Sequence, residues 1–141
     1  SGTVTLASEI DLARRYIAIE TLRFGERLDV RWELDPAANA ARLPPLALQP
    51  LLENAVRHGI EPAEDGGSIR VRTRVALGRA EILIDNSLPG PGTRANPGHG
   101  VALANVRARL RLLHDLDAKF ESAKRGEAWR VRIVVPMGER A

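Results

Sequence analysis

Three short stretches of this chain carry side chains whose types and spacing suit phosphate chemistry. The first is Glu53-Asn54-Ala55-Val56-Arg57-His58. At about 100° per residue, Leu51, Leu52, Ala55 and Val56 fall on one side of a helix, and Glu53, Asn54, Arg57 and His58 on the other. An amide beside a carboxylate, with a cation one turn on, suits a magnesium-bridged triphosphate: the metal takes hard oxygen ligands and the cation meets phosphate charge. The second stretch is Ile82-Leu83-Ile84-Asp85-Asn86, an apolar strand ending in a carboxylate and an amide, where the acid can accept from the exocyclic amine of a purine. The third, Gly98-His99-Gly100-Val101-Ala102-Leu103-Ala104-Asn105, places a glycine pair where a helix opens. Free N–H groups and the positive end of the helix dipole make an anion site there. Each stretch alone has a plainer reading as an amphipathic helix, a turn-forming acid or a loop glycine pair. Their order along the chain, metal site then base site then phosphate site, is what joins them.

The elements that must position these groups follow from periodicity. Ile10, Ala13, Ile17 and Leu22 recur at near-helical spacing over about 8–24, with Ser8 as the candidate cap and Gly25 as the stop. Residues 28–34 alternate with period two, as a half-buried strand does. After a small-residue loop at 35–41, Pro44 and Pro45 introduce a second helix over about 46–58, ended by Gly59, with Pro50 either in its first turn or marking a kink. Residues 68–77 and 79–85 alternate around Gly78 and predict a hairpin. Residues 86–100, rich in glycine and proline, predict a long loop, either functional or disordered, and a third helix follows over about 101–114 with Val101, Leu103, Val106, Leu110 and Leu113 offered to the core. A second hairpin, 118–123 with 129–135, closes the chain. The expectation is an α+β domain, a two-layer α/β sandwich with a mixed sheet of about five strands and three helices on one face. Strands arriving as hairpins argue against a doubly wound sheet.

Composition narrows the class. With 141 residues, 44% hydrophobic and 28% charged, the chain suits one folded domain over 1–141. It has no cysteine, which excludes disulfides and thiolate metal sites. No run approaches the roughly 18 apolar residues of a membrane helix and no signal-peptide pattern opens the chain, as fits a cytoplasmic domain. A net charge of +3 and a pI near 10.1 raise the question of nucleic acid. The basic residues are scattered, however, and Arg70, Arg72, Arg74, Arg130 and Arg132 alternate as one solvated sheet face would, so no nucleic-acid partner is expected.

These motifs together resemble a known family. LPPLALQPLLENAVRHG at 43–59 resembles the N box of the LytS-type sensor histidine kinases, whose ATP-binding domain has the Bergerat fold shared with gyrase, Hsp90 and MutL. IDNS at 84–87 resembles the first glycine box, and GHGVALANVRARLRLL at 98–113 the second. IDLARRYIAIETLRFGERL at 10–28 resembles the helix linking the domain to its dimerisation and phosphoacceptor segment, so 1–24 is expected to be that linker and 86–100 the ATP lid. The resemblance implies ATP and magnesium as cofactors, with Asn54 as the metal ligand and Glu53 a second candidate. It implies Arg57 and His58 toward the phosphates and Asp85, with Asn86 beside it, at the adenine amine. Gly98, His99, Gly100, Val101 and Leu103 would close the lid, and Asn105 and Arg107 would meet phosphate or cap the lid. The implied partners are the upstream helices of the same protein and a response regulator of the LytTR type. The full-length protein would be a homodimer anchored at the inner membrane.

Two departures sharpen the expectation. Ser87 stands where the first glycine box has glycine, and if that backbone needs φ > 0 a serine weakens nucleotide binding. A decayed domain serving as a protein-interaction module is the alternative that Ser87 favours. In hydrolysing relatives a glutamate one turn before the metal asparagine activates water, and here that position is Pro50, which neither accepts a proton nor orients water. Phosphoryl transfer needs positioning and charge neutralisation more than a strong base, so transfer to a histidine outside this chain fits better than hydrolysis. Of the histidines present, His58 belongs to the first stretch, His99 to the lid, and His114 is expected to cap its own helix.

Overall fold

The computed structural model describes residues 2–90 and 99–138. In chain order these form β1 (Val4–Thr5), α1 (Leu6–Phe24), β2 (Leu28–Glu33), β3 (Arg42–Leu43), α2 (Leu48–Gly59), β4 (Gly67–Ala76), β5 (Arg79–Ser87), α3 (His99–His114), β6 (Lys119–Arg125) and β7 (Ala128–Pro136). The five long strands make one mixed sheet in the order β2-β4-β5-β7-β6, parallel between β2 and β4 and antiparallel elsewhere. The three helices and the mixed sheet are those the hydrophobic pattern predicts.

Period-two alternation builds the core. Ile69, Val71, Ile82, Ile84, Val131, Ile133 and Val135 point from the central strands to the helix side, where Ile17, Leu51, Leu52, Ala55, Val56 and Leu110 cover them. Each such side chain contributes roughly 1.5–3 kcal/mol on burial. Leu77 and Gly78, both with positive φ (55° and 73°), turn β4 into β5 as a two-residue hairpin requires.

Several local expectations change. Thr5, not Ser8, caps α1: the Ser8 N–H donates to the Thr5 hydroxyl at 3.2 Å. Leu22 and Val101, counted on the apolar stripes of α1 and α3, are exposed at 88% and 68%. α1 is an integral layer of the domain, with Ile10, Ala13 and Ile17 buried. Its start is tied down by the antiparallel ribbon β1–β3, which no periodicity announced. β5 continues through Ser87 and α3 begins at His99, and residues 91–98 of the loop expected at 86–100 lie outside the described residues. His114 does not cap α3; its Nε2 lies 2.9 Å from the Arg42 carbonyl oxygen.

The helix-free sheet face carries the alternating arginines, each matched to an acid. Arg70 pairs with Glu33 at 2.7 Å, while Arg72 and Arg130 share Asp85 at 3.3 and 2.7 Å. Arg74 and Arg132 hold Glu81 from either side at 2.6 Å, and Arg132 also reaches Glu121. Burial raises the Glu81 carboxyl pKa, but hydrogen bonds from Arg132 and Arg74 outweigh it and leave the group below 4.5. A folded-state pKa below the unfolded one gives stability that is complete above the unfolded value and is lost as pH falls through the folded one. Denaturant titrations between about pH 6 and pH 3 should therefore show stability declining on the acid side. In Glu81→Gln the decline should be shallower and the neutral-pH stability lower.

Candidate functional site

α2 ends against the last residues of β5 and the start of β4. A Cβ on Gly59 would stand 2.8 Å from the Ser87 carbonyl oxygen and 2.9 Å from Asn86 Nδ2; one on Gly67 would stand 2.6 Å from the Gly59 carbonyl oxygen. Only glycine lets the helix end, the start of β4 and the end of β5 approach this closely.

The polar side of α2 divides in two. Asn54 and His58, one turn apart, are buried at 6% and 8% exposure, whereas Glu53 and Arg57 face solvent. Glu53 accepts from Gln49 Nε2 at 3.1 Å and contributes, after burial and Glu20, to raising the pKa of the Tyr16 hydroxyl on α1. The four-residue set expected from the sequence thus separates into an inward pair, Asn54 with His58, and an outward pair, Glu53 with Arg57.

Asp85 and Asn86 are likewise on opposite sides. Asp85 stands opposite Arg70 and Arg130 in the register, so its side chain lies on the helix-free face, where Arg130 grips it bidentately at 2.7 and 3.1 Å. The sequence placed this acid at the adenine amine; the pleat turns it away from the helices, and its oxygens are committed to arginine. Asn86 is the residue that points inward: it stands opposite Ile69 and Trp129, is 2% exposed, and its Nδ2 donates to the Ser87 carbonyl at 3.0 Å. The spacing Ile82-x-Ile84-x-Asn86 already held this signal, since both isoleucines are core residues.

Ser87 is not strained. It is paired with Ala128 in the β5–β7 ladder, and its hydroxyl accepts from the Ser68 N–H at 2.9 Å. Among the described residues the non-glycine positive φ values fall at Leu46, Leu77 and Asp115. The position needs no glycine here.

Toward α3, a cleft of about 310 Å³ is lined by Gly100, Leu103, Ala104, Arg107, Phe120 and Trp129, among others. Trp129, which the motifs did not reveal, lines this cleft, and its register position opposite Asn86 joins the cleft to the end of β5. Leu103 is buried, Val101 and Asn105 are exposed, and Arg107 lies over the Phe120 ring at 5.3 Å while donating to the Phe120 carbonyl. Gly98 lies outside the described residues, and His99 and Gly100 form the first turn of α3. The N–H groups of such a turn favour an anion.

No protein-family model matches the chain. The sensor histidine kinase YesM of Bacillus subtilis is 35% identical over 112 residues, 77% of this chain and 19% of the relative. The sensor protein LytS of Enterococcus faecalis is 24% identical over 148 residues, 96% of this chain and 25% of that protein. The nucleotide-free catalytic domain of histidine kinase ThkA superposes with a TM-score of 0.70 at 16% identity, over 96% of this chain and 94% of that one. The chain is related to the sensor histidine kinases, the LytS-type sensors among them. It has the fold of their catalytic domain and spans about a fifth to a quarter of the length of the curated kinases it matches. A further ThkA structure, in complex with the response regulator protein TrrA, superposes with a TM-score of 0.66 at 15% identity, over 96% of this chain and 41% of that one.

A LytS-type domain that uses magnesium nucleotide would need an oxygen ligand on α2, and Asn54 offers one. Among the described residues no group of three or more His, Asp or Glu could cage a metal by itself. That donor set fits magnesium, which keeps waters and relies on substrate phosphates for most of its other ligands.

Proposed function

We propose that this chain is the ATP-binding half of a protein-histidine kinase, donating a γ-phosphoryl group to a histidine outside it for relay to a response regulator. The observation that carries the reading is the buried polar pair Asn54 and His58 on a helix whose end abuts the inward-facing Asn86. Asn54 would ligate the magnesium, and His58 would lie toward the phosphates. Asn86 would receive the base at the end of β5, with Trp129 as an aromatic wall. The first turn of α3 would meet phosphate oxygens through its free N–H groups. Bound Mg-ATP would supply the phosphoryl group and the charge that neutralises it in transfer.

The lid at 86–100, the linker role of α1, a LytTR-type regulator and a membrane-anchored homodimer remain parts of this proposal. The response-regulator partner draws support from the ThkA complex. Pro50, in the first turn of α2, argues for transfer over hydrolysis. Ser87 lends no support to a decayed, nucleotide-free domain, because its backbone is extended strand.

Calorimetric titration with Mg-ATP tests the reading. The wild type should bind saturably, and both EDTA and Asn54→Ala should weaken binding by about tenfold or more, equivalent to about 1.4 kcal/mol. Absence of saturable binding up to millimolar nucleotide would overturn it.

A further inference from the structure

The turn that starts α2 is held from both sides by residues that belong to neither α2 nor the sheet. Glu9 on α1 is 2% exposed, an acid on the otherwise apolar stripe of Leu6, Ile10, Ala13 and Ile17. Its Oε2 accepts from the Leu46 N–H at 3.0 Å, and its Oε1 from the N–H groups of Ala47 at 2.8 Å and Leu48 at 2.9 Å. α2 has no side-chain cap of its own and no acid in its first turn. Glu9 therefore supplies, from another helix, both the acceptor and the negative charge that a helix N-terminus favours.

The carbonyls of the same turn go the other way. Arg109 on α3 donates through Nη1 to the Leu46 oxygen at 3.2 Å and through Nη2 to the Pro45 oxygen. Between the two grips Leu46 is held at φ 58°, a conformation that non-glycine residues rarely adopt and that persists only where the surroundings impose it. Two further bonds brace the arrangement, from the Leu6 N–H to the Ala41 carbonyl at 2.8 Å and between His114 Nε2 and the Arg42 carbonyl at 2.9 Å.

We propose that Glu9 and Arg109 are positioning residues that clamp the Pro45–Leu48 turn between α1 and α3, so that the placement of α1 sets the placement of Asn54 and His58. The inference rests on the nucleotide reading of α2 for its functional consequence, but not for the clamp itself. A displacement of α1 moves the carboxylate, the carboxylate carries the start of α2, and the turn's carbonyls carry α3 with it. The helix that enters the domain and the helix that follows residues 91–98 are joined through five backbone groups of one turn, three N–H and two C=O.

Hydrogen exchange and Mg-ATP titration on Glu9→Gln, Arg109→Ala and the double variant test this, with Val135→Ala as a core destabilisation that removes none of these hydrogen bonds. Glutamine keeps the shape of Glu9 but replaces one acceptor with a donor. In ligand-free Glu9→Gln, exchange should quicken at least tenfold at Leu46–Leu48 and also in α3 around Arg109. The Mg-ATP dissociation constant should rise about tenfold in Glu9→Gln, while Val135→Ala leaves it within twofold. The double variant should be no worse than the poorer single variant, since both act through one turn. Quickening confined to Leu46–Leu48, additive losses, or an affinity change no larger than that of Val135→Ala would overturn the clamp. If the wild type binds no nucleotide, the kinase reading falls, and the exchange in α3 still decides the clamp.

Discussion

Asn86→Ala should weaken Mg-ATP binding by more than about tenfold, over 1.4 kcal/mol, while Asp85→Asn leaves it within about twofold. The pleat makes these adjacent residues opposite in effect. Asn86 faces the helices at 2% exposure beside Gly59, whereas Asp85 is held on the other face by Arg130 and Arg72. The cost of Asp85→Asn should appear in stability. It removes charge-assisted hydrogen bonds on a side chain only 15% exposed, which at about 1.5–3 kcal/mol for bonds to charged groups should give a loss visible in denaturant unfolding. Titration and unfolding of the two variants side by side would separate the effects. Lost affinity in Asp85→Asn with its stability intact would return the base-recognising role to the acid.

Gly67→Ala should be among the most destabilising single-methyl additions in the domain, with Gly59→Ala close behind. The new Cβ at Gly67 would lie 2.4 Å from Ser87 Oγ and 2.6 Å from the Gly59 carbonyl oxygen. A hydroxyl can rotate away, but the backbone carbonyl at the end of α2 cannot, so the helix end must be pushed off the sheet. Overpacking of this kind costs about 1–3 kcal/mol, and more where backbone is the obstacle. Because Asn86 packs at the same junction, nucleotide affinity should fall together with the melting temperature. Adding Ser87→Gly should recover only part of the loss, since the Gly59 contact stays; full recovery would show that the side chain alone was the obstacle.

Much of this was legible in the chain. The two hairpins, the strand before them and the three helices follow from period-two and period-3.6 patterns and from Gly25 and Gly78 as stops. Local pattern failed where partners are distant in sequence. Glu9 and the N–H groups of Ala47 and Leu48 lie 38 and 39 residues apart, and nothing local marks an acid on an apolar stripe as a cap for another helix. The ribbon of β1 and β3 is two residues long on each side, too short to show a period. Asp85 misled because an acid is the more obvious partner for a purine amine. The alternation of Ile82, Ile84 and Asn86 carried the better information.

The strand order has one more consequence. The sheet has two open edges, β2 and β6, and each shows charges to solvent: Asp29, Arg31 and Glu33 at alternate positions on one, Lys119, Glu121, Lys124 and Arg125 on the other. Such edges resist adding a strand from another molecule, because incoming main chain would have to strip water from those charges. Joining two copies of this domain edge to edge into a continuous sheet would carry that cost.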